Sequence, residues 1–161
     1  CTEYMAERTW DYLAPTIEAA QALLDTRPDS EQLIESFCAV QGKIGEFMLV
    51  SNRTHNWRKF YAREQAGLGP TSGEELINQR IGQSIISVTS GIISQLLGPT
   101  ASDEECILRA VSLTGQLLPF HLNRSKSMKA LGWDAITPER YALLIGIVRE
   151  QTVAVLRSLT K

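Results

Sequence analysis

GQLLPFHLNRSKSMKALGWDAITPERYALLIGIVREQ, Gly115 to Gln151, is the stretch on which the reading of the fold turns. Leu117, Leu118, Phe120 and Leu122 crowd too closely for a solvated helix, and Arg124, Lys126 and Lys129 follow too soon for a core helix. Pro119 stands between the two halves. Leu131-Gly132-Trp133 reads as a turn, and Thr137-Pro138-Glu139 opens a new helix with proline at its favoured first position. On that last helix Tyr141, Leu144, Ile145, Val148, Thr152 and Val155 make one apolar stripe, and Leu143, Ile147 and Ala154 make another beside it. A helix on the outside of a monomer needs only one such stripe. Two stripes mean a helix sandwiched inside its domain, or one packed on its domain and on a partner; for the final element of a small chain the partner is favoured.

Working outward, the spacing is helical nearly throughout. Tyr4, Met5, Tyr12, Leu13, Ile17, Ala20 and Leu24 give a first helix, with a kink expected at Pro15. Asp29 and Gln32 have capping-box spacing ahead of Leu33, Ile34, Phe37, Val40, Ile44, Phe47 and Met48. A short amphipathic piece, WRKFYAREQ, precedes the breaker AGLGPTSG. Ser72 and Glu75 open a long helix carrying Leu76 to Leu96 and closed by Gly98-Pro99, and Ser102 with Glu105 caps the next. No segment shows strand alternation, a hairpin dipeptide between apolar runs, or a repeat. The expected fold is all-α, with about six helices in a single domain over residues 1–161.

Composition narrows the function. The 161 residues suffice for one domain with a real core, and 43% hydrophobic and 21% charged residues are ordinary for a globular protein. A formal net charge of −2 argues against a chain that grips nucleic acid by itself. No apolar run approaches the roughly 20 residues that span a bilayer. Cys1, Cys38 and Cys106 are odd in number and lack metal-site spacing, so a reducing cytoplasm fits. There is no initiator Met, and TEYMAERTWDYL is helical from the outset. The chain reads as a fragment lacking its N-terminal part; the alternative, a lipoprotein beginning at a lipidated Cys1, would ordinarily continue with a polar tether.

Enzymatic constellations are thin. His55 and His121 are the 2 histidines, far apart and without a metal-binding partner motif. GLGPTSG lacks the Lys-Ser/Thr ending of a phosphate loop and reads as an inter-helix loop. No enzyme, metal or cofactor is expected. In NRTHNWRKFYARE, Trp57, Phe60, Tyr61 and Glu64 share one helical face. Either this piece docks on the core, or its rings with Arg63 and Glu64 line a cavity, which is what a small-molecule pocket requires. Gln83, Ser84, Ser87, Thr114 and Gln116 interrupt apolar patterns. Left unpaired when buried, each would cost about 1–3 kcal/mol, so they bond to one another and to backbone, or they face a ligand.

The opening stretch resembles the C-terminal region of TetR/AcrR-type bacterial transcription regulators of the CecR/YbiH-like branch, through its Gly-Gln-apolar helix, Leu-Gly-Trp and Thr-Pro-Glu helix start. FYAREQAGLGPTSGEELINQRI is similar to that branch's segment joining a short helix to a long one. The resemblance implies an effector-binding and dimerisation domain of a repressor, whose DNA-reading helix-turn-helix domain would precede Cys1. It also implies that the last two long helices, about Asp103–Lys129 and Pro138–Leu159, pair with a second copy as a four-helix bundle. Ligand-binding candidates are then Phe47, Trp57, Phe60, Arg63, Glu64 and Gln116. Interface candidates are Leu117, Phe120, His121, Arg124, Tyr141, Ile145, Val148, Thr152 and Val155. Partners would be a second copy, a small-molecule effector, and DNA through the preceding domain only, with no membrane. A helical adaptor without ligand is the alternative, and the two are told apart by an upstream helix-turn-helix.

Overall fold

In the computed structural model, which describes residues 2–50, 66–67 and 73–160, the described chain is helical and contains no strand. The helices are α1 (Thr2–Leu24), α2 (Ser30–Leu49), α3 (Gly73–Leu97), α4 (Asp103–Thr114), α5 (Leu118–His121), α6 (Arg124–Leu131) and α7 (Pro138–Leu159). A 3-10 turn, Gly115–Leu117, joins α4 to α5. The expected all-α architecture holds.

Local chemistry sets the ends. The Asp29 carboxylate accepts from the Gln32 amide at 2.8 Å while the Gln32 side chain accepts from the Asp29 amide at 3.0 Å, a reciprocal box that opens α2. Ser102 Oγ accepts from the Glu105 amide and Thr137 Oγ1 from the Arg140 amide, opening α4 and α7. Past α3, Gly98 adopts φ 94°, and past α6 Gly132 adopts φ 70°, left-handed conformations that end a helix and favour glycine. The Ser72–Glu75 cap lies outside the described residues. α1 runs helically through Pro15.

The span Asp103–Lys129, expected as one helix, is divided instead. Pro119 has no N–H to donate to the Gly115 carbonyl four residues back. That carbonyl is taken by the Leu118 amide, three residues on, and the chain tightens into the 3-10 turn. After His121 a short turn at Leu122–Asn123 separates α5 from α6. Ser127 Oγ donates to the Pro119 carbonyl at 2.7 Å and ties α6 back across that turn.

Two apolar clusters form the core. One unites Leu13, Ile17 and Ala20 of α1, Val40, Phe47 and Met48 of α2, Ile81 and Val88 of α3, Leu117, and Leu144 and Val148 of α7. The other joins Leu33, Ile34 and Phe37 of α2, Ile92 and Ile93 of α3, Cys106, Ala110 and Leu113 of α4, and Leu156 and Leu159 of α7. Thus α2 is the central element, and α7 spans both clusters. Gly45 permits the close α2–α7 approach: a Cβ there would lie 2.9 Å from Tyr141 Oη and 3.3 Å from Ile145 Cδ1.

Candidate ligand cavity and outer apolar face

The end of the bundle formed by the first cluster is incompletely filled. An inner cavity of about 210 Å³ is walled by Thr9 and Leu13 of α1, Ile44, Phe47 and Met48 of α2, Ile81, Gly82 and Ile85 of α3, and Leu118 and His121 of α5. Among the described residues its lining is almost wholly apolar, because most of these side chains lie on the stripe their helix turns to the core. Thr9 and His121 are the polar exceptions, and both are buried, at 7% and 5% exposure. A wider cleft of about 730 Å³ adjoins it between α1 and α3, lined by Trp10, Asp11 and Gln21 on one side and Arg80, Ile81, Gln83, Ser84 and Ser87 on the other. Ile81 belongs to both walls.

Between α2, α7 and the end of α4, a buried polar chain closes on itself. Gln41 Nε2 donates to the Leu113 carbonyl at 2.8 Å, and Thr152 Oγ1 donates to Gln41 Oε1 at 2.9 Å. Gln116 Nε2 donates to Thr152 Oγ1 at 2.9 Å and to the same Leu113 carbonyl at 2.8 Å. The network fastens α2 and α7 to the start of the 3-10 turn. Thr114 Oγ1 likewise donates to the Ala110 carbonyl at 2.8 Å. Gln116 and Thr114 are therefore satisfied by the protein itself, whereas Gln83, Ser84 and Ser87 line the outer cleft.

Of the ligand-binding candidates, Phe47 is in the inner wall, and Gln116 is in the network rather than in either lining. Trp57, Phe60, Arg63 and Glu64 lie outside the described residues. Sequence reasoning missed Thr9, Leu13, Ile44, Met48, Ile81, Gly82, Ile85 and Leu118 as cavity residues. It also missed Gln41, whose polar side chain between Val40 and the following glycine was the available signal.

Burial within the single chain sorts the interface candidates. Leu117, Val148 and Thr152 are 1%, 5% and 0% exposed within the single chain, so they have no surface left for a second copy. His121 is in the cavity wall. Phe120, Tyr141 and Ile145 are half-buried against the first cluster, and Tyr141 Oη donates to the Gly42 carbonyl at 2.8 Å. Arg124 is half-buried. The reason is that α7 must turn one stripe to α2, and the stripe containing Tyr141, Val148 and Thr152 is the one that meets Gln41, Gly42 and Gly45. Of the other stripe, Leu143 is 59% exposed and Ile147 46%, and Val155, the last member of the first stripe, is exposed with them at 38%. The neighbouring segment does the same with Ile107, Leu108 and Val111 of α4, Leu118 of α5 and Leu122.

The ion pairs that join α2 to α7 lie outside both linings. Arg149 pairs with Glu35, and Arg157 with Glu31 at 3.3 Å, on the exposed α2–α7 surface, where such pairs are worth at most about 1 kcal/mol. Burial raises the Cys38 thiol above its ordinary value. Among the described residues no group of three or more His, Cys, Asp or Glu is placed to hold a metal, and no helix is long and apolar enough to cross a membrane.

A family model described as the C-terminal domain of the HTH-type transcriptional dual regulator CecR matches residues 17–159. The chain belongs to this family. The match covers α2 to α7 and the last third of α1, so it includes the outward apolar side chains and all of the described cavity wall except Thr9 and Leu13. The HTH-type transcriptional dual regulator CecR of Shigella flexneri is 28% identical over 148 residues, covering 89% of this chain and 64% of the relative. The chain thus spans a little under two thirds of the length of that curated relative. Membership of the CecR family bears out the resemblance to the C-terminal region of TetR-type regulators, and identifies the chain as a regulator's C-terminal domain.

Proposed function

We propose that this chain is the effector-sensing and dimerisation domain of a transcription regulator, a non-enzymatic cytoplasmic domain that pairs with a second copy and reaches DNA through a helix-turn-helix domain N-terminal to it. The observation that carries the reading is the position of α5. Leu118 is part of the cavity wall and is also 41% exposed on the outward apolar face, so the cavity and the partner surface are separated by one side chain. Exposed apolar side chains at helical spacing on two neighbouring helices mark an interaction surface, and a surface that recurs on every copy suits a two-fold, self-complementary dimer. A small molecule that fits the cavity better in one dimer geometry shifts the population toward that geometry. The altered spacing of two DNA-reading heads then changes operator affinity.

The dimer surface proposed here comprises Leu108, Val111, Leu118, Leu122, Leu143, Ile147 and Val155. Sedimentation equilibrium of the chain and of Ile147→Arg tests it. The parent should be dimeric at micromolar concentration and the variant monomeric with unchanged helicity. A monomeric parent, or a variant as dimeric as the parent, overturns the dimer.

A further inference from the structure

The geometry points to a ligand class for this site: an amphipathic molecule with a compact aromatic or branched apolar body and an acceptor-rich, preferably carboxylate, head. The inference rests on the sensing role proposed above and deepens it.

The two compartments differ in what they can hold. The inner cavity, about 210 Å³, is somewhat larger than the ~150 Å³ apolar cavity that takes benzene, and so accommodates one substituted ring. Among the described residues its walls are aliphatic and aromatic apart from Thr9 and His121, so placing a charge there carries a large desolvation cost. The outer cleft is the reverse. Among the described lining residues, Arg80, Gln21, Gln83, Ser84 and Ser87 all bear donors, against the one acceptor-only carboxylate of Asp11. Arg80 is the group there that pairs with a carboxylate in two-pronged fashion. Because Ile81 lines both compartments, with Arg80 before it and Gly82 after it, the head and body of one molecule sit on consecutive residues of α3.

Gly82 keeps the inner compartment open. It lies in mid-helix, where glycine is unfavourable, and a Cβ added there meets no atom within 4 Å. A larger side chain at 82 starts from open space and extends into the volume left for the body. Gly82 is therefore a specificity-determining position, set by the volume it leaves empty.

Titration calorimetry of the 161-residue chain with three compounds sharing one body tests this: 4-phenylbutyrate, 4-phenylbutylamine and butylbenzene. The acid should bind about tenfold or more tightly than the amine. Gly82→Leu, with helicity and melting temperature at least those of the parent, should weaken the acid and butylbenzene alike by about tenfold or more. Arg80→Gln should erase the preference for acid over amine and leave butylbenzene unchanged. The proposal is overturned if Gly82→Leu binds the acid like the parent, if Arg80→Gln keeps the preference, or if none of the three compounds binds at about 1 mM. Failure of the sensing role is distinguishable. A full-length regulator whose operator affinity ignores the acid, in a chain that binds it, removes the sensing role and leaves the site standing.

Discussion

Thr152→Val probes the buried polar chain with little change of shape. Thr152 is fully buried, and its hydroxyl both donates to Gln41 Oε1 and accepts from Gln116 Nε2, each at 2.9 Å. Valine exchanges that hydroxyl for a methyl of nearly equal size. Gln116 keeps the Leu113 carbonyl as acceptor, but Gln41 Oε1 loses the Thr152 donor in a place water does not reach. Leaving such a group unsatisfied costs about 1–3 kcal/mol. The buried methyl returns up to about 0.8 kcal/mol, so the net loss is about 1–2 kcal/mol. For a domain of this size that is about 3–6 °C in melting temperature. The assay is urea unfolding at fixed protein concentration, because a dimer's stability depends on concentration. Gln41→Leu should be comparably costly, and the double variant should lose less than the sum of the two by about 1 kcal/mol, as groups in one network couple. A Thr152→Val chain as stable as the parent, or strict additivity in the double variant, would refute the network as a structural fastening.

Gly45→Ala and Gly42→Ala form a matched pair on α2. The first drives a methyl to 2.9 Å from Tyr141 Oη and should destabilise by about 1–3 kcal/mol, while the second meets nothing within 4 Å and should gain about 0.5–1 kcal/mol from helix propensity; thermal unfolding of both decides. Tyr141 predicts an alkaline effect. Burial, with Glu46 and Tyr12 adding to it, holds its phenol well above the ordinary value, while in the unfolded chain it ionises near about pH 10. The native state keeps a proton that the unfolded state releases, so this stability is complete below about pH 10 and is lost as pH rises beyond it. Tyr141→Phe should flatten that alkaline decline in denaturant titrations, with a constant loss at neutral pH from the missing bond to Gly42. An unchanged alkaline slope would contradict the assignment.

What the sequence made legible was local. The Asp29–Gln32 box, the Ser102 and Thr137 caps, and the glycine stops at Gly98 and Gly132 all act within a few residues, and each is where its spacing puts it. The apolar period likewise marked the core faces of α1 and α2. Periodicity alone does not say which of two stripes on α7 turns inward. That depended on Gly45 and Gln41, about a hundred residues away, which make α2 the surface that the Tyr141 stripe fits. The cavity was illegible for a related reason. An empty volume is a property of several helices together, and Gly82 reads in isolation only as a weak point in a helix.

The 3-10 turn has a consequence for how side chains are counted along this part of the molecule. All residues from Thr114 to Leu118 for which the turn's ends are defined stay in the right-handed region, so no strained backbone announces the break. A 3-10 turn advances about 120° per residue, however, against about 100° in an α-helix. Over Gly115–Leu117 the discrepancy accumulates to about 60°, and everything beyond is rotated by that angle relative to an unbroken helix. Pro119 thus acts as a phase shifter: by withholding one donor it re-aims the next turn, so that His121 looks into the cavity while Leu122 looks out.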